Sequence, residues 1–167
     1  MGHICARLAR FRREEDGVAL VEFALSLPLV LVLFFSIIEG SRMMWGYQAA
    51  SAGVRDAARY LARVTPREIC DTGGSVTGYS NQLLTIVRDR TDGSNIFPNG
   101  MTVNSVTPSY TCNNAGSWRD GTAPIAQVSA SVTITMPFGG VFRLVGDGTA
   151  LPTINTTITD QNRVYGS

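Results

Sequence analysis

The stretch DGVALVEFALSLPLVLVLFFSIIEG, residues 16–40, decides what fold this chain takes, because it is an oily run with one acid, Glu22, near its start. Residues 18–38 make a segment of 21. At about 1.5 Å per residue, a helix of that length spans the roughly 30 Å hydrocarbon core of a bilayer. Between Phe23 and Ile38, twelve side chains are Leu, Val, Ile or Phe. Each favours insertion by about 0.3–0.6 kcal/mol, and their sum outweighs the roughly 2.5–3.5 kcal/mol lost to one charge at the bilayer centre. Glu22 lies within about 6 Å, along the helix axis, of the segment's first residue, where headgroups and water lower its cost. One transmembrane helix over 18–38 is the expectation.

A secretory signal peptide is the competing reading, with RLARFRR at 7–13 as its basic region. The apolar core is longer than the roughly 7–15 residues such signals use, and Glu39-Gly40-Ser41-Arg42 lacks a small-x-small cleavage site. A retained anchor is preferred. Arg7, Arg10, Arg12 and Arg13 bias the N-terminus to the cytoplasm, since the neighbouring acids count little in the positive-inside rule.

Gly17-Val18-Ala19-Leu20-Val21-Glu22-Phe23 resembles a prepilin cleavage motif, in which a membrane-embedded peptidase cuts after the glycine and leaves the apolar helix in place. The wider stretch 17–63 resembles TadE-like pseudopilins, minor components of tight-adherence (Flp) pilus systems. Glu22-Phe23, Leu27-Pro28, Ile37-Ile38-Glu39-Gly40 and the Ala-Ala-Arg-Tyr-Leu-Ala run at 57–62 carry that likeness, with a looser echo in Met136-Pro137-Phe138. The resemblance implies that Gly17 ends a leader and Val18 becomes the new N-terminus, with Glu22 and Phe23 as its fifth and sixth residues. It also implies a prepilin peptidase, a major Flp pilin, a companion pseudopilin and an inner-membrane pilus platform as partners, besides membrane lipid. The location it implies is the bacterial inner membrane, single pass, with the C-terminal domain periplasmic.

Once a leader is removed, the α-amino group of Val18 titrates near 7.7–8.0 as a free terminus and supplies a cation for Glu22. Residues 18 and 22 are four apart on a helix, so the pair can form within one chain; the pilin analogy instead pairs Glu22 with a neighbouring subunit. The plainer alternative is an acid that snorkels to the interface, although acids embedded in membrane helices are generally functional. Pro28 removes the partner of the Ala24 carbonyl and predicts a bend, which serves packing or extraction or is simply tolerated.

Beyond the membrane the helical pattern continues: Met44, Tyr47, Ala50, Val54, Ala57, Leu61 and Val64 recur every three or four residues and predict a dry face. Arg55, Arg59 and Arg63 form a second row, read as a solvated face. Thr65-Pro66 ends the helix. Gly40, Gly46 and Gly53 each lower helix propensity by about 1 kcal/mol and leave room for a joint.

From residue 66 the chain turns rich in Gly, Thr, Ser and Asn, as a small extracytoplasmic domain requires. A helix is expected over Tyr79–Arg90, then turns at Gly93 and Asn99-Gly100. Ala126, Val128, Ala130, Val132, Ile134 and Met136 alternate with polar residues and predict a half-buried strand; weaker strands are expected at Met101–Tyr110 and Leu151–Ile158. The fold class is α+β: a long N-terminal helix packed on a small antiparallel sheet of about three strands, pilin-like. The organisation is a leader over 1–17, a membrane helix over 18–38, an amphipathic stalk over 39–65 and a domain over 66–167.

Cys70 and Cys112 fall on the outer side and Cys5 in the leader, so compartment pairs the first two as a disulfide, with two free buried thiols as the alternative. The single histidine, His3, lies in the leader, which removes Ser-His-Asp, Cys-His and His-based zinc chemistry from a mature chain. Asp89, Asp92 and Asn95 lack the spacing of a calcium loop and read as a polar turn. Asn155-Thr156-Thr157 matches a glycosylation pattern short enough to arise by chance, and no role is assigned to it. No enzyme and no cofactor is expected. All 14 basic residues are Arg and 13 acids nearly balance them, so the chain has no field suited to nucleic acid. Two functions remain: a structural minor pseudopilin, and a permanently anchored periplasmic binding protein with no filament role.

Overall fold

The computed structural model describes residues 15–89, 95–116, 121–144 and 153–166. Helix α1 runs from Glu15 to Val64, 50 residues or about 75 Å. Its end is set where the sequence places it. Thr65 donates both its backbone N–H and its hydroxyl to the Leu61 carbonyl, at 3.0 and 2.7 Å, and Pro66 follows. The Ala62 carbonyl, another that helix termination orphans, is taken by the N–H of Tyr165 at 3.1 Å.

Short helix α2 (Ile69–Thr72) and a 3-10 turn (Thr77–Tyr79) lead into α3 (Ser80–Arg88). The helix expected over Tyr79–Arg90 is therefore present but shorter at both ends, because Tyr79 belongs to the 3-10 turn and Asp89 is already extended; Arg90 and the turn expected at Gly93 lie outside the described residues. Three antiparallel strands follow, β1 (Met101–Asn113), β2 (Ala123–Ile134) and β3 (Ile154–Arg163), in the spatial order β1-β2-β3. In β2 every second residue from Ala126 to Ile134 is buried, as the alternation predicts, while Met136, expected as its last member, lies beyond the strand. In β1 the register slips between Val103 and Ser105, so Met101 and Val103 are buried before the slip and Val106 and Pro108 after it. One extra residue exchanges the faces of a strand. The strand expected at Leu151–Ile158 lies further on: it runs to Arg163, paired with β2 as far as Ile125, while Leu151 and Pro152 lie outside the described residues.

Contacts divide the chain into two compact units, Met1–Gly40 with Phe138–Leu151, and Ser41–Pro137 with Pro152–Ser167. Within the second, α1 contributes Ala50, Val54, Ala57, Ala58, Leu61 and Ala62, all fully buried, to a core shared with Leu83 and Val87 of α3 and Ala126, Val128, Ala130 and Val132 of β2. The predicted dry face is correct from Ala50 to Leu61. It is wrong for Met44 and Tyr47, which are 60% and 44% exposed. At that level it is Gly46 that is buried, facing Met101 and Pro98. Arg55 and Arg59 lie in solvent, with Arg55 4.0 Å from Asp160 and Arg59 3.7 Å from Asp56.

Helix α1 is helical through all three glycines. Gly46 and Gly53 serve close approach instead. A Cβ on Gly53 would lie 2.9 Å from the Val87 carbonyl oxygen and 3.0 Å from Val87 Cα, and one on Gly46 would collide with the Met101 sulfur. Helix propensity alone credits Gly53→Ala with about 1 kcal/mol. Forcing the α3 backbone away costs about 1–3 kcal/mol, so the expected sign is reversed and Gly53→Ala lowers stability. Around Gly40 there is open space, and Gly40→Ala leaves stability unchanged or raises it by up to about 1 kcal/mol. Denaturant unfolding of the two full-length variants in detergent, followed by near-UV circular dichroism, checks the contrast.

Candidate membrane and assembly segment

The apolar half of α1 is exposed along its length: Val18, Phe23, Leu25 and Leu29 are each more than 60% accessible. Its 18-residue apolar window has a mean hydropathy of 2.5 and none of it is buried. Such a surface on one long helix is compatible with a single-pass anchor, because a helix satisfies its own backbone within lipid and needs only apolar side chains outside. The polar side chains in the run are satisfied locally. Ser26 Oγ donates to the Phe23 carbonyl at 3.1 Å and Ser36 Oγ to the Val32 carbonyl at 2.7 Å. Pro28 lies inside the helix, which continues beyond it.

Helix α1 begins before Gly17, so Gly17 and Val18 occupy its first turns, and Glu22 stands one turn beyond Val18 on the same face. Glu22 is exposed amid Val18, Val21, Phe23 and Leu25, an acid presented on an apolar surface. His3, Cys5 and the four N-terminal arginines lie outside the described residues.

A second acid on α1 acquires its role only from the fold. Glu39 is only 7% exposed, and its Oε1 accepts the backbone N–H of Phe138 at 2.6 Å. The Phe35 and Phe138 rings lie 5.1 Å apart between centroids. The signal in the sequence is an acid closing an apolar run, yet its partner lies 99 positions away.

Cys70 and Cys112 are joined, with their Cα atoms 5.8 Å apart. Of the residues weighed as calcium ligands, Asp89 accepts from Arg88 Nε at 2.9 Å, which raises the Arg88 pKa, while Asn95 Oδ1 accepts the Phe97 N–H at 2.9 Å. Asp92 lies outside the described residues. Among the described residues, no group of three His, Cys, Asp or Glu is placed to hold a metal ion. Asn155 is in β3, where its Oδ1 accepts from Thr133 Oγ1 at 2.7 Å.

Residues 17–59 match the family described as TadE-like protein. The chain carries a TadE-like segment. That segment coincides with the exposed run of α1 and continues into its packed half as far as Arg59. No curated protein and no solved structure matches the chain. The TadE-like segment therefore holds Gly17, Val18, Glu22, Phe23, Pro28 and Glu39, whereas the disulfide and the sheet lie beyond it.

Proposed function

We propose that this protein is a minor pseudopilin, a membrane-anchored structural component of a tight-adherence (Flp) pilus, processed by a prepilin peptidase after Gly17. The observation that carries the reading is the coincidence of the TadE-like match with an exposed apolar helix that has Gly17-Val18 near its beginning. In this reading residues 18–38 hold the chain in the inner membrane, with the N-terminus cytoplasmic. The new amine of Val18 and the carboxylate of Glu22 give each subunit one cation and one anion at the edge of the bilayer. An oily helix alone makes no distinction among lateral neighbours, but opposite charges at a fixed depth set subunit stagger, because a mismatch leaves an acid unpaired in lipid. Phe23 packs beside that pair, and Pro28 bends the helix for passage or packing. The major pilin, a companion pseudopilin and the inner-membrane platform are the partners.

N-terminal sequencing of the membrane-bound protein is expected to begin at Val18. Recovery of a chain that still starts at Met1 removes the pseudopilin reading and leaves a permanently anchored periplasmic protein. Presence of the mature form in sheared pili places it in the filament.

A further inference from the structure

Glu39 and Phe35 together fix the start of a distant segment. Glu39 holds the Phe138 N–H, and Phe35, one turn earlier on α1, faces the Phe138 ring with planes inclined by 32°. The chain after Phe138 forms a 3-10 helix, Gly139–Leu144, of sequence GGVFRL. In sequence, Phe138 to Leu144 contains Phe138, Val141, Phe142 and Leu144, one cation in Arg143 and no acid. Although it lies against Phe35, Phe138 remains 38% exposed. The neighbouring apolar surface on α1 is exposed as well, with Phe34 56% and Leu31 39% accessible.

We propose that Phe138–Leu144 is a second membrane contact, lying in the headgroup–acyl boundary of the leaflet from which the C-terminal end of the apolar run emerges. The inference rests on the reading that residues 18–38 span the bilayer. Phe35 is three residues from the end of that span, so lipid around α1 at this level also meets whatever is stacked on Phe35. The segment's composition suits the depth. Apolar rings are favoured about 5–10 Å into the boundary, an arginine is attracted to phosphate groups there, and hydrogen-bonded 3-10 backbone has fewer groups to desolvate. Glu39 fits the same place, since a carboxylate at the end of an apolar run is costly unless it receives a strong hydrogen bond, which Phe138 provides.

The test uses the full-length chain in vesicles of phosphatidylcholine and phosphatidylglycerol, in a Trp45→Phe, Trp118→Phe background that retains the disulfide by mobility shift. Phe142→Trp and, as a second reporter should the first disturb folding, Leu144→Trp are compared with Leu31→Trp using lipids brominated at shallow or deep acyl positions. Emission from the 142 or 144 reporter is expected to fall roughly twofold with shallow bromine and less with deep bromine, while the position-31 reporter responds most to deep bromine. Quenching at position 31 with none at 142 or 144 overturns the proposal and leaves the span intact. Absence of quenching at all three removes span and proposal together. Blue-shifted emission at 142 or 144 without quenching assigns the segment to a protein contact and also overturns it.

Discussion

Glu22→Gln is expected to yield a protein that still enters the membrane but no longer accompanies pili in normal amount. Insertion survives because glutamine is cheaper than a carboxylate in hydrocarbon, and the apolar residues from Phe23 to Ile38 already outweigh the charge. Assembly suffers because glutamine keeps the shape and a hydrogen-bonding oxygen yet cannot neutralise a terminal ammonium group. A loss of about 1.4 kcal/mol in that pairing reduces occupancy tenfold, so the protein in sheared pili should fall by roughly that factor or more. Fractionation separates the two effects: the membrane pool stays constant while the pilus pool falls. Glu22→Asp retains charge but shortens reach and should restore part of the recruitment. Equal recruitment of wild type and Glu22→Gln would reduce the acid to a snorkelling residue.

Cys70→Ser costs the domain about 4 kcal/mol, the chain-entropy value for a crosslink between residues 42 apart. That is a large share of the roughly 5–15 kcal/mol that stabilises an ordinary domain. Local geometry explains why the bond matters. Helix α2 has four residues, too few to persist alone, and its one buried side chain is Ile69. Cys112 stands near the end of β1 opposite Pro124, so the bond fastens α2 to that end of the sheet. Cys112→Ser should lower the denaturant midpoint equally, and the double variant no further. Electrophoresis without reductant should show a mobility shift on reduction that both single variants lack.

Legibility in the sequence followed the range of the forces involved. The end of α1 at Thr65-Pro66 and the alternation of β2 are local, so both were readable within a few residues. The weak signal of β1 has a definite cause: the slip beside Asn104 changes which parity is buried, and no strict alternation survives across it. β3 extends past its apolar signal because Thr159–Arg163 is polar. As an edge of the sheet it presents much of that surface to water, and the pairing with β2 that fixes it leaves no mark in its own composition. The glycines of α1 differ from the propensity expectation for a related reason. Propensity treats glycine as a weakness of its own helix, whereas Gly53 answers the backbone of Val87, 34 positions on. In the candidate segment, the expectation for Gly17, Val18 and Glu22 comes from their spacing, which is itself the motif. Glu39 was not legible in this way, since what gives it a role is the N–H of Phe138.

The inward side of α1 is built from glycine and alanine at Gly46, Ala50, Gly53, Ala57, Ala58 and Ala62, with Val54 and Leu61 as its larger members. Tolerance to substitution on that side is therefore one-directional. Trimming removes almost nothing at the alanines, while enlargement at these buried positions must displace a packed neighbour, the Val87 backbone at Gly53 and the Met101 side chain at Gly46. A saturation library of this helix should show a narrow stripe that rejects volume regardless of polarity, beside an outer stripe through Arg55, Arg59 and Arg63 that accepts nearly any residue.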